Sequence, residues 1–421
     1  MSRLSAADRA AIENRMGDLH ERYEAFKARR LALDMTRGKP CPEQLDLSLG
    51  MLTCLGADHK AADGTDCRNY GGLDGLAEAK ALFSKIIDVA ADEIIVGGAS
   101  SLNMMHDTVL RAMTHGVPGG AQPWGKLPAV KFLCPSPGYD RHFSICRHFG
   151  IEMIVVDMKS DGPDMDAVER LAAADESIKG IWCVPKYSNP TGVTFSDEVV
   201  ERFARMKSAA ADFRIFWDNA YAVHHLGTPD RLKNILEECK RAGRPDRVYV
   251  FGSTSKISFA GAGVAMMGAS KANLADTRKH LAIQTIGPDK LNQLRHVRFF
   301  KDLTGIEAQM SKHAAILRPK FDAVIEILAR ELSGLTVAQW SRPNGGYFVS
   351  LDTLDGCAKA VVARAAEAGV KFTEAGATFP LGRDPRDRNI RIAPSLPGAQ
   401  AIAQATELLA ICIQLVSLEK T

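Results

Sequence analysis

The sequence lacks the patterns that mark most metal-binding, secreted and membrane-spanning proteins. Its nine cysteines are scattered, and none forms a Cys-x-x-Cys pair or a Cys/His cluster with metal-ligand spacing. No uncharged apolar run approaches the roughly 20 residues that cross a bilayer. The charged N-terminal segment has no signal-peptide pattern. We therefore expect a cytoplasmic protein with reduced, mostly buried thiols, no bound metal and no membrane partner.

An excess of one charge sign is also missing. The 53 Lys and Arg residues are nearly balanced by 50 Asp and Glu residues, which gives a formal net charge of +3. A nucleic-acid-binding surface needs a concentrated excess of basic residues, so we expect no nucleic-acid partner. At 421 residues the chain is too long for one ordinary core and is predicted to form more than one domain.

Short apolar segments alternate with amphipathic ones through the middle of the chain. Strands separated by helices indicate a largely parallel sheet with helices on both faces. One such helix is predicted over Ser196–Ala211, with Ser196 at its start. The candidate strands are Glu93–Val96, Val130–Cys134, Glu152–Val156, Gly180–Val184, Arg214–Trp217 and Arg247–Phe251.

The alternation fades near residue 290, where long helices and then a smaller α+β region follow. Strands are expected in GGYFVSLD, VKFTEA and NIRIAP. The first 45 residues are too few for a core of their own and are expected to pack with this C-terminal part. The predicted division is a large domain at 46–305 and a small domain from 1–45 and 306–421. The Gly116–Lys126 segment is predicted to be a loop or insertion of unassigned role.

In an open parallel sheet, ligands bind outside the carboxyl ends of the strands, so the residues after each strand are the informative ones. After the first strand, a Gly-Gly-Ala-Ser-Ser run ending in Ser100 and Ser101 leads into a helix. That run suits either a phosphate cradle or a plain Ser-capped turn. After the second strand, Tyr139 follows a Pro/Gly loop, where it suits either stacking on a planar ligand or filling the core.

Three further strand ends carry polar side chains that could hold one cofactor. Asn189 offers an N–H donor for a phenolate oxygen or forms an ordinary turn. Asp218 suits a protonated pyridine nitrogen, a helix cap or an internal ion pair. Lys256 suits a Schiff base or a solvated surface position. Together the five loops contain every part that a pyridoxal phosphate (PLP) site needs.

The order and spacing of these motifs resemble fold-type I PLP-dependent aminotransferases over essentially the whole chain. The matching motifs are Asn189-Pro190-Thr191-Gly192, Asp218-x-Ala220-Tyr221, Ser253-x-Ser255-Lys256 and Arg391-Ile392-Ala393-Pro394. The runs TRGKPCPEQLDLS, NYGGLDGLAEAK, WDNAYAVHHL and STSKISFAGAG are similar to subgroup Ic aspartate aminotransferases. The resemblance implies an α/β fold, with a mostly parallel seven-stranded sheet between helices in the large domain.

The resemblance also implies a role for each matched residue. Lys256 would bind PLP as a Schiff base and move a proton, and Arg391 would clamp the substrate α-carboxylate with help from the backbone near Gly38. Tyr70 would reach the cofactor phosphate of a neighbouring subunit in a homodimer. The remaining cofactor contacts would be Asp218 at the ring nitrogen, Asn189 and Tyr221 at the phenolate oxygen, Tyr139 on the ring, and Ser100, Ser101, Ser253 and Ser255 at the phosphate.

Two positions leave the substrate and phosphate contacts open. Most relatives have a phosphate-pairing arginine about eight residues after the Schiff-base lysine, and here that stretch contains none. A dicarboxylate substrate needs a second cation besides Arg391, and either Arg37 or Arg141 could supply it or could form a structural ion pair. If one does, the expected reaction is aspartate:2-oxoglutarate transamination.

The same scaffold is compatible with other activities. The alternatives are an aminotransferase for aromatic amino acids, kynurenine or alanine, and a PLP-dependent β-lyase. A regulator that only senses PLP is a further alternative, although about 45 residues before the large domain leave little room for a DNA-binding winged helix.

Overall fold

The computed structural model describes residues 4–420. The helices are α1 (Ala6–Glu13), α2 (Met16–Ala28), α3 (Pro42–Asp46), α4 (Ala77–Ile87), α5 (Ser101–His115), α6 (Asp140–His148), α7 (Met165–Ala174), α8 (Asp197–Arg205), α9 (Ile235–Arg241), α10 (Lys271–Gln284), α11 (Lys290–Phe300), α12 (Leu303–Leu332), α13 (Ala358–Glu367) and α14 (Ala399–Glu419). The strands are β1 (Leu33–Asp34), β2 (Ile94–Val96), β3 (Lys131–Ser136), β4 (Glu152–Lys159), β5 (Gly162–Pro163), β6 (Ile178–Cys183), β7 (Arg214–Asp218), β8 (Val248–Ser253), β9 (Ala265–Ala269), β10 (Ala338–Trp340), β11 (Val349–Thr353), β12 (Val370–Lys371) and β13 (Asn389–Ile392).

The central sheet has the order β2-β9-β8-β7-β6-β3-β4-β5. The five strands from β8 to β4 run parallel, whereas β9 is antiparallel to both of its neighbours and β5 is antiparallel to β4. The predicted α/β fold class with a mostly parallel sheet is confirmed. The sheet has one strand more than the seven expected, because the two-residue β5 pairs with the end of β4.

Both faces of this sheet are buried, as expected for parallel strands covered by helices. Along β7, Ile215 and Trp217 enter the core on one face and Phe216 enters the core on the other. This alternation follows from the two-residue period of a strand. It fixes which residues of β7 face the helices, and it leaves Asp218 at the strand's carboxyl end.

Helix α8 begins where the sequence predicted but ends earlier. The Ser196 hydroxyl caps its start by accepting a hydrogen bond from the Val199 N–H. The helix ends at Arg205 and not at Ala211, because Met206 leaves the helical backbone conformation. The guanidinium of Arg247 donates to carbonyls of the last turn, which satisfies acceptors that a helix end leaves free.

A second core is formed by the two ends of the chain. Ile12, Leu19 and Phe26 from the N-terminal helices pack in the same cluster as Leu351 and Ile392 from the C-terminal sheet β10-β11-β13. The two ends of the chain thus pack together, and their assignment to a separate small domain stays a prediction. Helix α12 contributes to both cores, with its first turns in the large-sheet core and its later turns in the second, so the domain limit at 305 stays a prediction.

Helix α14 is the one helix within residues 4–420 that is long and apolar enough to cross a membrane by length and composition. Most of it is buried inside the protein. Its side chains, including Leu408, Ile411 and Leu415, form a large part of the second core. Burial in that core accounts for its apolar composition.

The Gly116–Lys126 segment connects α5 to β3 and is anchored by Trp124. That indole is fully buried, and its N–H donates to Asp212 at 2.7 Å. Asp212 also accepts from Lys179 at 2.7 Å. The segment is therefore packed against the amino-terminal edge of the sheet, away from the strand ends that carry the predicted site.

Candidate active site

The parallel register brings the predicted polar residues to one edge of the sheet. Cys183 pairs with Trp217 and Asp218 pairs with Phe251, so the loops after β6, β7 and β8 emerge side by side. These loops and the start of α5 enclose one cavity. Its lining residues are Gly38, Ser100, Ser101, Leu102, Met105, Tyr139, Val184, Asn189, Asp218, Ala220, Tyr221, Ser253, Ser255, Lys256 and Phe348.

Lys256 and Asp218 lie in the same cavity wall. The Lys256 ammonium is 5.1 Å from the centre of the Tyr221 ring. Burial lowers the pKa of Lys256, and the negative charge of Asp218 partly opposes this effect. A lysine with a lowered pKa spends more time as the neutral amine, which is the form that attacks a carbonyl carbon.

Asp218 is only 2% exposed, and its two carboxylate oxygens have different surroundings. Oδ2 lies 3.1 Å from Nε2 of His142, whereas Oδ1 is buried without a hydrogen-bond partner among residues 4–420. An unpaired buried carboxylate oxygen is costly. A protonated pyridine nitrogen would satisfy it, so the residues present fit the ring of PLP.

His142 is a site residue that the sequence analysis missed. Its ring stacks on Trp182, with the ring centres 4.4 Å apart and the planes 11° from parallel. It also meets the edge of Tyr139. The stacking fixes the imidazole beside Asp218. The only signal in the sequence was its place three residues after Tyr139, at the start of a helix that follows a strand.

The opposite end of the cavity contains hydroxyl and backbone donors. Ser100 caps α5, and its hydroxyl accepts from the Leu102 N–H at 3.2 Å. The Ser253 hydroxyl donates to that of Ser255, also over 3.2 Å. A helix N-terminus with adjacent hydroxyls suits a phosphate group. Eight residues after Lys256 stands Val264, which is buried and paired with Thr254, so this stretch brings no cation to the cavity.

Arg391 lies on β13 and contacts two residues of the cavity lining, Asn189 and Phe348. Its Nη1 atom is 2.9 Å from Oδ1 of Asp140 and 3.4 Å from Oδ1 of Asn189. The guanidinium also lies over the Phe348 ring, 4.9 Å from its centre. Nε is buried without a partner within the described chain, so part of the donor fork is still available for a carboxylate.

Gly38 and Phe348 pack closely at the same side of the cavity. A Cβ atom at position 38 would lie 2.3 Å from Cζ of Phe348. A side chain at position 38 would therefore require the Phe348 ring to move. Asp140 and Phe348, like His142, were not identified from the sequence.

Four predicted residues do not line the cavity: Arg391, which contacts the lining residues Asn189 and Phe348, and also Arg37, Arg141 and Tyr70. The side chains of Arg37 and Arg141 are exposed, although Arg141 is near enough to lower the pKa of Tyr139, which burial raises more strongly. Tyr70 is 80% exposed. Its loop is held by the buried Lys290, whose ammonium donates to the carbonyls of Asn69 and Gly71 at 2.8 and 2.7 Å.

A comparison with protein families decides the class of enzyme. The family model described as aspartate amino-transferase matches residues 7–421. The chain belongs to the aspartate aminotransferase family. It is an aminotransferase, as the sequence predicted, and the cofactor of such enzymes is PLP.

Individual relatives agree with this assignment. The enzyme is 46% identical to the aspartate aminotransferase of Corynebacterium glutamicum over 427 residues, which cover 100% of this chain and 98% of the relative. A crystal structure of an aspartate transaminase from that organism superimposes with a TM-score of 0.95, covering 98% of this chain and 97% of the other. A relative from Mycolicibacterium smegmatis, named only to the level of an aminotransferase, is 50% identical over 402 residues and 94% of each chain.

Proposed function

We propose that this aminotransferase transfers the amino group of L-aspartate to 2-oxoglutarate. Full-length similarity to a C. glutamicum protein named aspartate aminotransferase supports the substrate assignment. The observation that carries the site assignment is the unpaired, buried Oδ1 of Asp218 in the same cavity as Lys256. A carboxylate in that state needs a cationic partner, and the ring nitrogen of PLP is one.

The proposed cofactor contacts follow from the residues that line the cavity. Asp218 would hold the ring nitrogen protonated. His142 would keep the Asp218 carboxylate in place through its contact with Oδ2. Tyr139 would lie against the ring. Asn189 and Tyr221 would hydrogen-bond the phenolate oxygen. The phosphate would be bound by the N-terminus of α5 and by the hydroxyls of Ser100, Ser101, Ser253 and Ser255.

When bound, PLP supplies a ring that withdraws electrons from the substrate's Cα and makes the Cα proton acidic. Lys256 would bind the cofactor between turnovers and move the proton from the substrate's Cα during each half-reaction. Burial favours the neutral amine that this proton transfer requires, since it lowers the pKa of Lys256. The surrounding Tyr139, Tyr221 and Phe348 exclude water from the reacting atoms.

Arg391 would bind the α-carboxylate of both substrates. Its contact with Asn189 places it beside the proposed phenolate donor, and its Nε donor has no partner in the part of the chain that the structure describes. Gly38 would allow the substrate to approach the backbone.

The second carboxylate of the substrate, at the end of its side chain, would be bound by Arg37 or Arg141. Replacing the responsible arginine by Ala is expected to raise KM for aspartate far more than for alanine, and equal effects on both donors would exclude that arginine.

We propose that the active unit is a cytoplasmic homodimer. Tyr70 stands on an exposed loop, and large apolar side chains are exposed on the segments around it. These side chains are Leu49, Leu52, Ile283, Ile286 and Leu291. Burying them against a second copy would bring Tyr70 towards a neighbouring cavity. Size-exclusion chromatography with light scattering tests the dimer, and a monomer at micromolar concentration would refute it.

A half-reaction tests the function directly. Purified enzyme with PLP is mixed with L-aspartate in the absence of any oxo acid. We expect the visible absorbance of the bound cofactor to be lost as pyridoxamine phosphate and oxaloacetate form in equal amounts. Borohydride treatment before aspartate should attach the cofactor to Lys256, as peptide mass spectrometry would show. Release of pyruvate and ammonia would instead indicate a β-lyase, and faster reaction with an aromatic donor would overturn the aspartate assignment.

A further inference from the structure

A second cluster of charged residues lies at the edge of the sheet opposite the active site. Arg214 begins β7, and Arg247 directly precedes β8, so both lie at the amino-terminal ends of parallel strands. Asp218 is the last residue of β7. At about 3.3 Å per residue, the two ends of this strand are about 13 Å apart. The cluster is therefore separate from the PLP cavity.

Three arginines in this cluster have no carboxylate partner within residues 4–420. Arg214 is 2% exposed, Arg247 is 8% exposed and Arg244 is half-buried. Their guanidinium groups donate to backbone carbonyls and, for Arg247, to the Ser208 hydroxyl. Asp212 pairs with Lys179, whereas Asp246, which lies in the same cleft as the three arginines, accepts from the Ser270 hydroxyl.

This arrangement leaves several positive charges uncompensated. The carbonyls at the end of α8 carry the equivalent of about half a negative charge, and both Arg244 and Arg247 share them. Arg214 donates to the carbonyls of Phe213 and Pro118 and not to that helix end, and its Nε atom is buried without a partner among residues 4–420. Burial lowers the pKa of Arg247 to about 10, and repulsion from Arg244 and Arg214 adds to this shift. Buried cations without a counter-charge are destabilising.

The arginines surround a cleft that could accept a counter-charge. The cleft has a volume of about 530 Å³, and Lys207 adds a fourth cation to its wall. Gly119 and Pro118 from the Gly116–Lys126 segment form another wall, which gives that segment a structural role here. We call this feature the distal cleft, defined by Pro118, Lys207, Arg214, Arg244 and Arg247.

We propose that the distal cleft binds a small oxyanion with at least two negative charges, of the phosphate or polycarboxylate class. Arginine forks match both groups in geometry, because each can accept two parallel N–H donors. Such an anion neutralises the repulsion among the three guanidinium groups. It would also bridge the end of α8, the start of β7 and the segment before β3. Binding to the folded state alone would stabilise the enzyme by mass action.

Thermal unfolding and calorimetry of the PLP-loaded enzyme test the proposal. Sodium pyrophosphate and sodium citrate are titrated to about 10 mM, with sodium chloride at the same ionic strength as the reference. We expect at least one of the two anions to raise Tm by about 3 °C more than chloride does. The stronger response of pyrophosphate or of citrate would identify the phosphate or the carboxylate class.

Variants locate the binding. Arg244→Gln and Lys207→Gln should each weaken the anion response at least about tenfold, whereas Arg241→Gln, an exposed residue paired with Glu238 on α9, should leave it unchanged. Lys207 is exposed, so its replacement keeps the test valid if Arg244→Gln does not fold. The response should persist in Arg391→Lys. Loss of the response in Arg391→Lys, equal responses in all variants, or no response beyond that of chloride would each overturn the proposal.

Discussion

At the scale of single residues, Arg391 already has an anionic neighbour within the protein. Asp140 lies 2.9 Å from one of its terminal nitrogens and is about one-third exposed, whereas Arg391 is nearly buried. The ion pair joins β13 to the start of α6. A substrate carboxylate at Arg391 would therefore stand close to a second negative charge, and the two anions would repel each other.

We expect Asp140→Asn to lower KM for aspartate about threefold, with kcat changed by less than about twofold. Asparagine keeps an oxygen that accepts from Arg391, so the guanidinium stays in place while the repulsion is removed. Steady-state kinetics at low ionic strength measure the effect. Asp92→Asn, which alters an exposed ion pair with Lys271, is the matched control. A large increase in KM would show instead that the Asp140 charge is needed to orient Arg391.

The sequence identified the residues whose chemistry follows a strand end and missed those placed by contacts between distant segments. Asp218 ends a buried strand, and Lys256 and Asn189 lie in the loops that follow two others, so local pattern alone put them at one edge. His142 and Phe348 carry no comparable signal. His142 becomes a partner of Asp218 only because it stacks on Trp182 from another strand. Phe348 becomes a residue of the site only because Gly38 and Arg391 pack against its ring.

At the scale of elements, the loop that carries Tyr70 depends on one buried ammonium. Lys290 at the start of α11 donates to the carbonyls on both sides of Tyr70, at Asn69 and Gly71. A glycine-rich loop has little preference of its own for one conformation. The two hydrogen bonds therefore set the direction in which the exposed tyrosine points.

Replacing Lys290 by Met should release this loop, because both carbonyls would lose their donor at a cost of about 1–3 kcal/mol. We expect a lower Tm by a few degrees, and an affinity for PLP about tenfold weaker if Tyr70 contacts a neighbouring cofactor. Cofactor affinity is measured by absorbance titration of the apoenzyme. Lys301→Met, at an exposed position after the same helix, is the control. Unchanged PLP affinity would argue against a contact between Tyr70 and the cofactor.

The elements themselves were predictable where burial selects bulky side chains. All six predicted strands of the large sheet are present, each shifted by no more than a few residues. Strand β9 was missed, because Ala265–Ala269 follows a glycine-rich loop and contains no β-branched residue. Its strand conformation is imposed by pairing with β2 and β8 on both sides. One of these partners, β2, is far from β9 in sequence, and a local pattern does not report such pairing.

At the scale of the whole molecule, a buried lysine makes stability depend on pH. Lys186 follows β6 and is 9% exposed. Burial lowers its pKa to about 8, and Asp230 opposes this only partly. The pKa in the unfolded chain is about 10.4. Between these two values the unfolded chain binds the additional proton, so the free energy of unfolding rises with pH across this window.

We therefore expect Lys186→Met to stabilise the enzyme at pH 7 by about 1 kcal/mol, after allowance for solvent screening. The gain should shrink as the pH rises from about 8 towards 10, because the wild-type lysine then becomes neutral in the folded state. Urea unfolding at pH 7, 8.5 and 10, with PLP at one fixed concentration, measures it. Lys312→Met, at an exposed position on α12, should show no such trend. A constant difference at all three pH values would contradict the prediction.

The division of the side chains between two cores has a consequence for how such an enzyme can evolve. Asp218 ends β7 and Lys256 lies in the loop after β8, whereas Arg391 lies on β13 beside residues of the second core. Mutations around β13 can therefore move the guanidinium that we propose to bind the substrate carboxylate, without disturbing the strands that hold the proposed cofactor contacts. Selection for a new amino-acid donor would act first on β13 and the second core around it. The inherited chemistry would persist while the range of accepted substrates changes.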